Sequence, residues 1–517
     1  MCIYVIILIV SMKKKKFILS TLLIALASLS SCSFFDIFAT SEESYPLPEE
    51  NESIPENANY YRANRSIDTY YSLGQRNLYG QSYPKTLGTA KTLVVPVAIK
   101  GYESVANETT RNKIEKAFFG TSQETGWESV QSYFYKSSFG QFQFTGTVTD
   151  WFYSNKTPRE IAALQNPDYE DGGTYYLIKQ IYNWLGNNGY SFKDYDLDKD
   201  GFIDSLWMIY GCPNGQNSLL IPSDAFWAFS YIAYDYIDEA DVDIPVPNTY
   251  AWASYDFMDE GKSAGIGIDA HTYIHETGHV LGLDDYYDYD NLHNPLGSID
   301  MQDHNIGDHN AYSKMALGWS RPFVVTGNAT ITIKPAESSG HCILLRNPNS
   351  PYNGNAFSEY ILMELITPSG LWEQDSTYSY PSFGHKTYTK PGVRIMHVDS
   401  RLQDNKGRLV TKTTNSGLFK VAYSNTPSES CSKGTYSLRE DLLALIPADN
   451  DISFQTTISS STFADHNNLF KTGDKFTVSK YSQFFKNNAL HDGTTIPFEV
   501  NFVDVSSTSA TISFKVI

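Results

Sequence analysis

The stretch that most constrains this chain is His275-Glu-Thr-Gly-His279, which continues Val-Leu-Gly-Leu-Asp-Asp to Asp285. Residues four apart on an α-helix lie one turn above each other, so His275 and His279 point the same way and can bind one zinc ion. Glu276 lies between them and can reach a water on that metal as general base. The stretch therefore predicts a helix with the chemistry of a zinc hydrolase that cleaves amide bonds.

The residues that follow extend the motif. Gly282 stands where the helix must end, because glycine adopts the left-handed cap conformation at little cost. Asp285 stands ten residues after His275, where the longer motif H-E-x-x-H-x-x-G-x-x-H places its third ligand. A carboxylate thus replaces the usual third histidine, and spacing favours Asp285 over Asp284 and Asp288. The competing interpretation is an ordinary amphipathic helix with two surface histidines and an acidic end.

An acidic run upstream has the spacing of a calcium loop. Its alternating carboxylates are Asp196, Asp198, Asp200 and Asp204. Such carboxylates converge on a hard cation, and Gly201 allows the sharp turn that the loop needs. Position twelve of the loop is Trp207 rather than Glu, so an EF-hand helix pair is not indicated. The run favours a structural calcium completed by distant oxygens over a solvated acidic turn.

Composition restricts the classes of partner. The 517 residues carry a formal net charge of −19, which argues against a nucleic-acid partner and favours a soluble protein that holds divalent cations. The chain has no G-x-G-x-x-G, phosphate loop or G-x-S-x-G, so no nucleotide or organic cofactor site is predicted. We expect protein or peptide substrates and a monomer. Cys212, Cys342 and Cys431 can form at most one disulfide.

The amino terminus has the pattern of a bacterial lipoprotein signal. Residues 13–16 are four lysines, residues 17–29 are an apolar run too short for a membrane-spanning helix, and Cys32 follows. We interpret residues 1–31 as the signal peptide, Met12 as the true start and Cys32 as the lipidated residue. The protein is then a cell-surface lipoprotein outside the cytoplasm, held at the membrane or released from it. The alternative is an uncleaved membrane anchor.

The rest of the chain divides into three regions. Residues 32–88 are rich in Ser, Glu, Pro, Asn and Tyr and read as a tether with room for a short pro-segment. Residues 89–322 alternate helical and strand patterns, which predicts an α/β catalytic domain, with residues 249–257 as an edge strand. Residues 323–517 show short strands with turn signals, which predicts a β-rich region built on a β-sandwich.

The chain resembles the immune inhibitor A family of bacterial secreted metallopeptidases. The matching stretches are residues 271–288 (HTYIHETGHVLGLDDYYD), 298–314 (SIDMQDHNIGDHNAYSK), 318–319 (GW) and 392–399 (GVRIMHVD). The resemblance implies a zinc-dependent endopeptidase with an α/β zincin fold of metzincin-like build. The tether and the lipidation are not implied by it.

The resemblance also gives Met301 a role, because such peptidases carry a Met-containing turn beneath the metal. A thioether there supplies a polarizable apolar floor for the imidazoles, although Met301 can equally be a core residue. His271 reads as a packing or supporting residue, since a helix cannot curl three successive turns onto one ion. His304 and His309 follow Met301 and are candidates to line the cleft or to stabilise the oxyanion.

Two functions of different classes compete. The first is a surface-tethered zinc endopeptidase that acts on proteins outside the cytoplasm. The second is an adhesin or binding lipoprotein whose peptidase-like domain is a scaffold and whose β-rich region engages surface polymers. The presence of His275, Glu276, His279 and Asp285 together favours the enzyme, because a scaffold has no chemical need for all four.

Overall fold

A computed structural model describes residues 53–517 except 76, 165–172, 216–219, 223–224, 380–384, 411–412, 414–416, 431–439 and 457–462. The predicted signal peptide, the lipidation candidate Cys32 and Cys431 lie outside the described residues. Cys212 and Cys342 are buried free thiols. None of the helices formed by the described residues is long and apolar enough to cross a membrane.

The described residues form a mixed α/β structure with several sheets. The strands are β1 (Tyr60–Arg62), β2 (Gly88–Ala98), β3 (Phe142–Val148), β4 (Phe152–Tyr153), β5 (Ser205–Tyr210), β6 (Phe229–Ile232), β7 (Thr249–Ser254), β8 (Phe323–Val325), β9 (Ala329–Ile333), β10 (Ile343–Leu345), β11 (Glu359–Ile366), β12 (Gly392–Asp399), β13 (Leu402–Asp404), β14 (Leu409–Val410), β15 (Phe419–Val421), β16 (Leu443–Leu445), β17 (Lys475–Phe476), β18 (Phe498–Val505) and β19 (Ala510–Val516). The α-helices are α1 (Tyr70–Gly74), α2 (Glu108–Phe119), α3 (Ser122–Thr125), α4 (Val130–Ser137), α5 (Pro158–Ala162), α6 (Gly173–Asn187), α7 (His271–Val280), α8 (Met301–His304), α9 (Ala311–Ala316), α10 (Ala336–Ser339), α11 (Glu373–Thr377) and α12 (Ser453–Thr456).

The first sheet, in the order β3-β2-β5-β7-β6, positions the motif helix. Its strands pair in parallel except β6, which pairs antiparallel with β7. Alternate residues of β2 serve the two faces: Val94 packs in the cluster that includes α2, α4 and α7, and Leu93 and Val95 pack in the cluster that includes α6. Apolar strands without polar alternation are typical of parallel sheets covered by helices on both faces.

The prediction that residues 249–257 form an edge strand is wrong. Strand β7 lies between β5 and β6, and every residue of it is buried. The shorter strand β6 occupies the edge instead. The alternation of small and aromatic residues in β7 was mistaken for the alternation of polar and apolar residues that marks an edge strand.

The second sheet, in the order β1-β8-β10-β11-β12-β16, lies between two apolar clusters. Tyr360 and Leu362 of β11 pack in the cluster shared with α7, whereas Ile361 and Met363 pack against the third sheet. The third sheet has the order β17-β18-β19-β9. Among the described elements of residues 323–517, strands outnumber α-helices by twelve to three. The zincin fold, the β-sandwich and the domain limits at residues 88 and 322 stay predictions.

Residues 60–83, within the segment interpreted as a tether or pro-segment, are folded onto the body. Strand β1 pairs with β8, and Tyr70, Leu73 and Tyr83 are buried. Tyr70 meets the ring of Phe357 edge to face, with ring centroids 5.1 Å apart. A few tyrosines without periodic spacing thus bury enough area to hold the segment down, and a search for apolar periodicity misses them.

Candidate active site

Helix α7 holds both motif histidines and ends so that the chain turns back towards them. Gly282 follows the helix with φ 101°, in the left-handed region that favours glycine. The Leu283 amide donates to the Gly278 carbonyl oxygen at 3.0 Å, which closes the turn. A Cβ atom at Gly282 would lie 2.8 Å from Tyr70, so there is no room for a side chain. This turn delivers Asp285 to the two histidines.

The three predicted ligands meet at one point. The Nε2 atoms of His275 and His279 lie 3.1 Å apart, and Asp285 Oδ1 lies 3.0 Å and 3.2 Å from them. Donors about 2.0–2.2 Å from a central ion stand about 3.3–3.6 Å apart in a tetrahedral zinc site, slightly farther than these three atoms. The group His275, His279 and Asp285 is thus one that can hold a metal ion.

The protons of this site are directed away from the meeting point. His275 Nδ1 lies 2.8 Å from the Met301 carbonyl oxygen, and His279 Nδ1 lies 2.7 Å from that of Leu283. An imidazole that donates through Nδ1 keeps a lone pair on Nε2, which is the tautomer that binds metals. Asp285 Oδ1 is buried and has no hydrogen-bond partner among the described residues. Three lone pairs therefore face one another, and a cation is what such a donor set fits.

Electrostatics give the same result. Burial lowers the pKa of His279, but the Asp285 carboxylate outweighs it and raises that pKa to about 10. Burial raises the pKa of Asp285, but His279 and His275 hold it well below its ordinary value. The site therefore attracts positive charge, which a proton supplies when no metal is bound.

Glu276 lies beside the metal ligands and has no competing contact. Its side chain is buried, and its Oε2 atom has no hydrogen-bond partner among the described residues. Burial raises its pKa, the direction expected of a carboxylate that must accept and release a proton. It faces a cavity of about 1270 Å³ that His275 and His279 also line.

Met301 begins helix α8 and is fully buried. Its carbonyl oxygen accepts from His275, so its backbone orients a predicted metal ligand independently of its thioether. Next to it, Gln302 Nε2 donates to the His275 carbonyl oxygen at 3.2 Å. A Cβ atom on Gly278 would lie 2.1 Å from the Gln302 side chain, so this glycine is what lets α8 approach α7. No motif or spacing in the chain pointed to Gln302.

The other histidines near the motif have separate environments. His271 is buried, stacks on Trp127 with ring centroids 3.8 Å apart, and lies outside the ligand group. His304 lines the cavity of about 1270 Å³, with Nδ1 2.6 Å from Asp303. His309 is buried in the core beside Tyr133, with Nε2 3.2 Å from Gln302 Oε1. Lining of the cleft or stabilisation of the oxyanion stays a prediction for both.

Asp284 and Asp288, the alternative third ligands, lie outside the ligand group, whereas Tyr287 and Tyr289 are connected to it by hydrogen bonds. Asp288 accepts from the His293 ring at 2.7 Å and from the backbone of that loop, so it holds the loop. Asp284 lines both the large cavity, of about 1270 Å³, and a neighbouring one. The Tyr289 hydroxyl donates to Asp285, and Tyr287 OH donates to Tyr289 OH at 3.1 Å. The run of tyrosines after Asp285 was the available signal for this chain of hydroxyls.

The predicted calcium loop brings together Asp196, Asp198 and Asp204. Asp200 turns aside and accepts from the Ser82 hydroxyl at 2.5 Å. Burial and neighbouring carboxylates raise the pKa of Asp198 to about 7, and burial, against two backbone donors, raises that of Asp204 to about 8. This loop gathers negative charge that is costly to bury.

A third group, Glu359, His397 and His491, also has its ligand atoms close together. His397 Nε2 donates to Glu359 Oε1 at 2.9 Å, and His491 Nδ1 donates to Asp399 Oδ2 at 3.1 Å. Arg401 makes two further bonds to Asp399. Sequence reasoning missed this group, because its members come from β11, β12 and a loop ninety residues later.

Comparison with known proteins gives one distant similarity. The pre-pro-metalloprotease PrtV, from two strains of Vibrio cholerae serotype O1, is 23% identical to this chain over 192 residues. The match covers 34% of this chain, and the chain spans 20% of the length of those relatives. No protein-family model matches the chain. The predicted relationship to metallopeptidases is thus confirmed at this coarse level, and the narrower family stays a prediction.

Proposed function

We propose that the protein is a zinc-dependent endopeptidase of the immune inhibitor A type, with His275, His279 and Asp285 as zinc ligands and Glu276 as general base. The observation that carries the proposal is the set of three lone-pair atoms 3.0–3.2 Å apart, with both histidine Nδ1 atoms at carbonyl oxygens. Zinc is the ion that prefers a small, four-coordinate site of nitrogen and oxygen donors.

Zinc bound by these residues supplies Lewis-acid activation of water and of the scissile carbonyl. Glu276 accepts the proton of the attacking water as its oxygen bonds to the carbonyl carbon. The same carboxyl then donates that proton to the leaving amine as the C–N bond breaks. The Tyr289 hydroxyl, bonded to Asp285, and the carbonyl oxygens of Met301 and Leu283 keep the three ligands oriented.

The wider proposal concerns fold and location. Residues 89–322 form a metzincin-like zincin domain, and residues 323–517 include a β-sandwich. Lipidation at Cys32, after removal of residues 1–31, anchors the enzyme on the outside of the membrane, where it meets protein substrates. The parallel sheet beneath α7 and the packing of the second sheet on the third support the fold.

The test uses the purified full-length protein loaded with zinc. We expect one zinc per chain, casein hydrolysis, loss of hydrolysis with a chelator and recovery when zinc is returned. Glu276→Gln is the matched variant, because it keeps the size and polarity of the side chain but cannot act as a base. Zinc-loaded, folded protein that hydrolyses no protein would refute the proposal and leave the binding lipoprotein as the remaining interpretation.

We also propose a structural calcium at Asp196, Asp198 and Asp204. The convergence of three carboxylates, two of them with raised pKa, supports it. Because the folded-state pKa values of Asp198 and Asp204 lie above the unfolded value, these two carboxylates cost stability as the pH rises from about 4 to about 8. Calcium is expected to raise the melting temperature more at pH 8 than at pH 5, and Asp198→Asn to reduce this gain. A melting temperature indifferent to calcium at pH 8 would remove the site.

A further inference from the structure

A second cavity, of about 600 Å³, lies where residues 70–83 meet the loop after α7. We call it the amino-side cavity. His279 and Asp285 line both it and the large cavity, so the two adjoin at the proposed metal centre. A peptide that lies across the centre places residues on the two sides of its scissile bond in different surroundings.

The two cavities differ in chemistry. The large cavity is lined by aromatic rings of Trp227, Phe229 and Phe463. Asp284 and Asp285 line both cavities, and Asp288 and Asp303 add carboxylates to the large one. Glu429, Leu73, Lys420 and Val421 line the amino-side cavity and not the large one, so these four give the amino-side cavity its own chemistry.

The carboxylate of Asp284 is partly buried where the two cavities meet, and its oxygens are not among the fully buried atoms left without a partner in the described part of the chain. Glu429 accepts from the Ser424 hydroxyl at 3.3 Å, and burial together with Asp285 raises its pKa. A partly buried carboxylate gains from a cationic partner.

The chain's own cation in this cavity is already engaged. Lys420 is the positively charged side chain among the described residues that line it, apart from the histidine ligand. Its Nζ donates to the Tyr79 hydroxyl at 2.8 Å and lies 5.1 Å from the centre of that ring. Leu73 and Val421 supply apolar wall that can cover the methylene stem of a long side chain.

We propose that the amino-side cavity selects a lysine or arginine side chain next to the scissile bond, with Asp284 as the carboxylate that binds its cation. The selection rests on the proposed peptidase function. The stem packs on Leu73 and Val421, and the charge meets Asp284 and Glu429. A glutamate at the same substrate position is rejected, because it faces two like charges.

The experiment compares peptides that differ at one position beside the scissile bond: lysine, norleucine, which keeps the stem without the charge, or glutamate. The zinc-loaded full-length protein is used, and kcat/KM is measured for each. We expect lysine to exceed norleucine by about tenfold or more at one of the two flanking positions. Asp284→Asn removes most of that ratio, Glu429→Gln lowers it, and Lys420→Met raises it.

Asp504→Asn is the matched control, because it removes one negative charge from an exposed position of β18 without touching the cavity. It is expected to leave the ratio unchanged. Zinc content is measured for every variant. If Asp284→Asn loses zinc, the lysine-to-norleucine ratios of the Glu429 and Lys420 variants are the test of the selection. A lysine-to-norleucine ratio near one, or a ratio that none of the cavity variants moves, overturns the selection while peptidase activity stands. Cleavage of no peptide at all refutes the proposed function and the selection with it.

Discussion

The described residues include two groups of two histidines and a carboxylate, and the two groups differ in where the histidine protons are directed. At His275, His279 and Asp285 the Nδ1 atoms lie at carbonyl oxygens, and the atoms that face one another are acceptors. At Glu359 and His397 a histidine proton already joins the two residues. The possible ligand atoms lie close together in both groups. Only in the group of His275, His279 and Asp285 do they have lone pairs that no hydrogen bond uses.

The second group is complete without an ion. Glu359 accepts from His397 and from the backbone amides of His491 and Asp492. Arg401 balances the charge of Asp399. In the described part of the chain, the buried atoms left without a partner include no side-chain oxygen or nitrogen of this cluster, which consists of Glu359, His397, Asp399, Arg401 and His491. A group that can bind a metal is therefore recognised by donor atoms that have no hydrogen-bond partner.

Replacing one histidine in each group is expected to separate the two groups most clearly. His279→Ala removes a proposed zinc ligand, and we expect zinc loss and a fall in kcat/KM of about a thousandfold or more. His397→Ala is expected to keep one zinc per chain and activity within a few fold. Zinc content and peptide hydrolysis are the measurements. A His397→Ala protein that loses metal while folded would show that the second group also binds an ion.

The carboxylates give the next effect. Asp285→Asn keeps the shape but weakens the third ligand, and we expect zinc affinity to fall by about tenfold to a hundredfold. Asp288→Asn and Asp399→Asn are the controls, since both carboxylates are engaged elsewhere. Competition with a zinc-binding dye measures the affinities. Equal losses in Asp285→Asn and Asp288→Asn would contradict the assignment of the third ligand.

For the free energy of unfolding, we expect the larger loss from the histidine of the second group, the reverse of the order expected for activity. His397→Ala leaves the buried Glu359 carboxylate short of a donor and opens space under the ring, so we expect a loss of about 2–3 kcal/mol in the free energy of unfolding. Urea unfolding of zinc-free protein measures it, with zinc-free His279→Ala as the comparison. A smaller loss in His397→Ala than in His279→Ala would break the distinction.

The smallest effect is a dependence on pH. Burial lowers the pKa of His491, but Asp399 and Glu359 outweigh it and raise that pKa. A raised folded-state pKa stabilises the protein below the unfolded value, about 6.5, and this contribution is lost as the pH rises through the folded value. His491→Asn therefore lowers the urea midpoint more at pH 6 than at pH 9. His466, which is partly exposed, is the control for the same change.

What the sequence could predict depended on local spacing. The five-residue motif, Gly282 and Asp285 lie within eleven consecutive residues, so helix geometry alone brings the ligands together. Apolar runs predicted β2 and β12 because a buried strand needs little information from elsewhere. The group at Glu359 and His397 joins strands through their register, which no spacing in the chain reveals.

The same limit explains what the sequence missed in the cleft. Residues 70–83 have no apolar period, yet Tyr70 and Tyr83 line the amino-side cavity from a point two hundred residues before the motif. Gln302 reaches the backbone of α7 through the space that Gly278 leaves. Both are contacts between distant segments, and a side chain's partner across such a distance is decided by the assembled fold.

The contact between Tyr70 and Gly282 couples the start of the described chain to the turn that carries the third ligand. Strand β1, which precedes Tyr70, is held along one edge by β8. The amino-terminal segment is therefore part of the wall that supports the turn carrying Asp285.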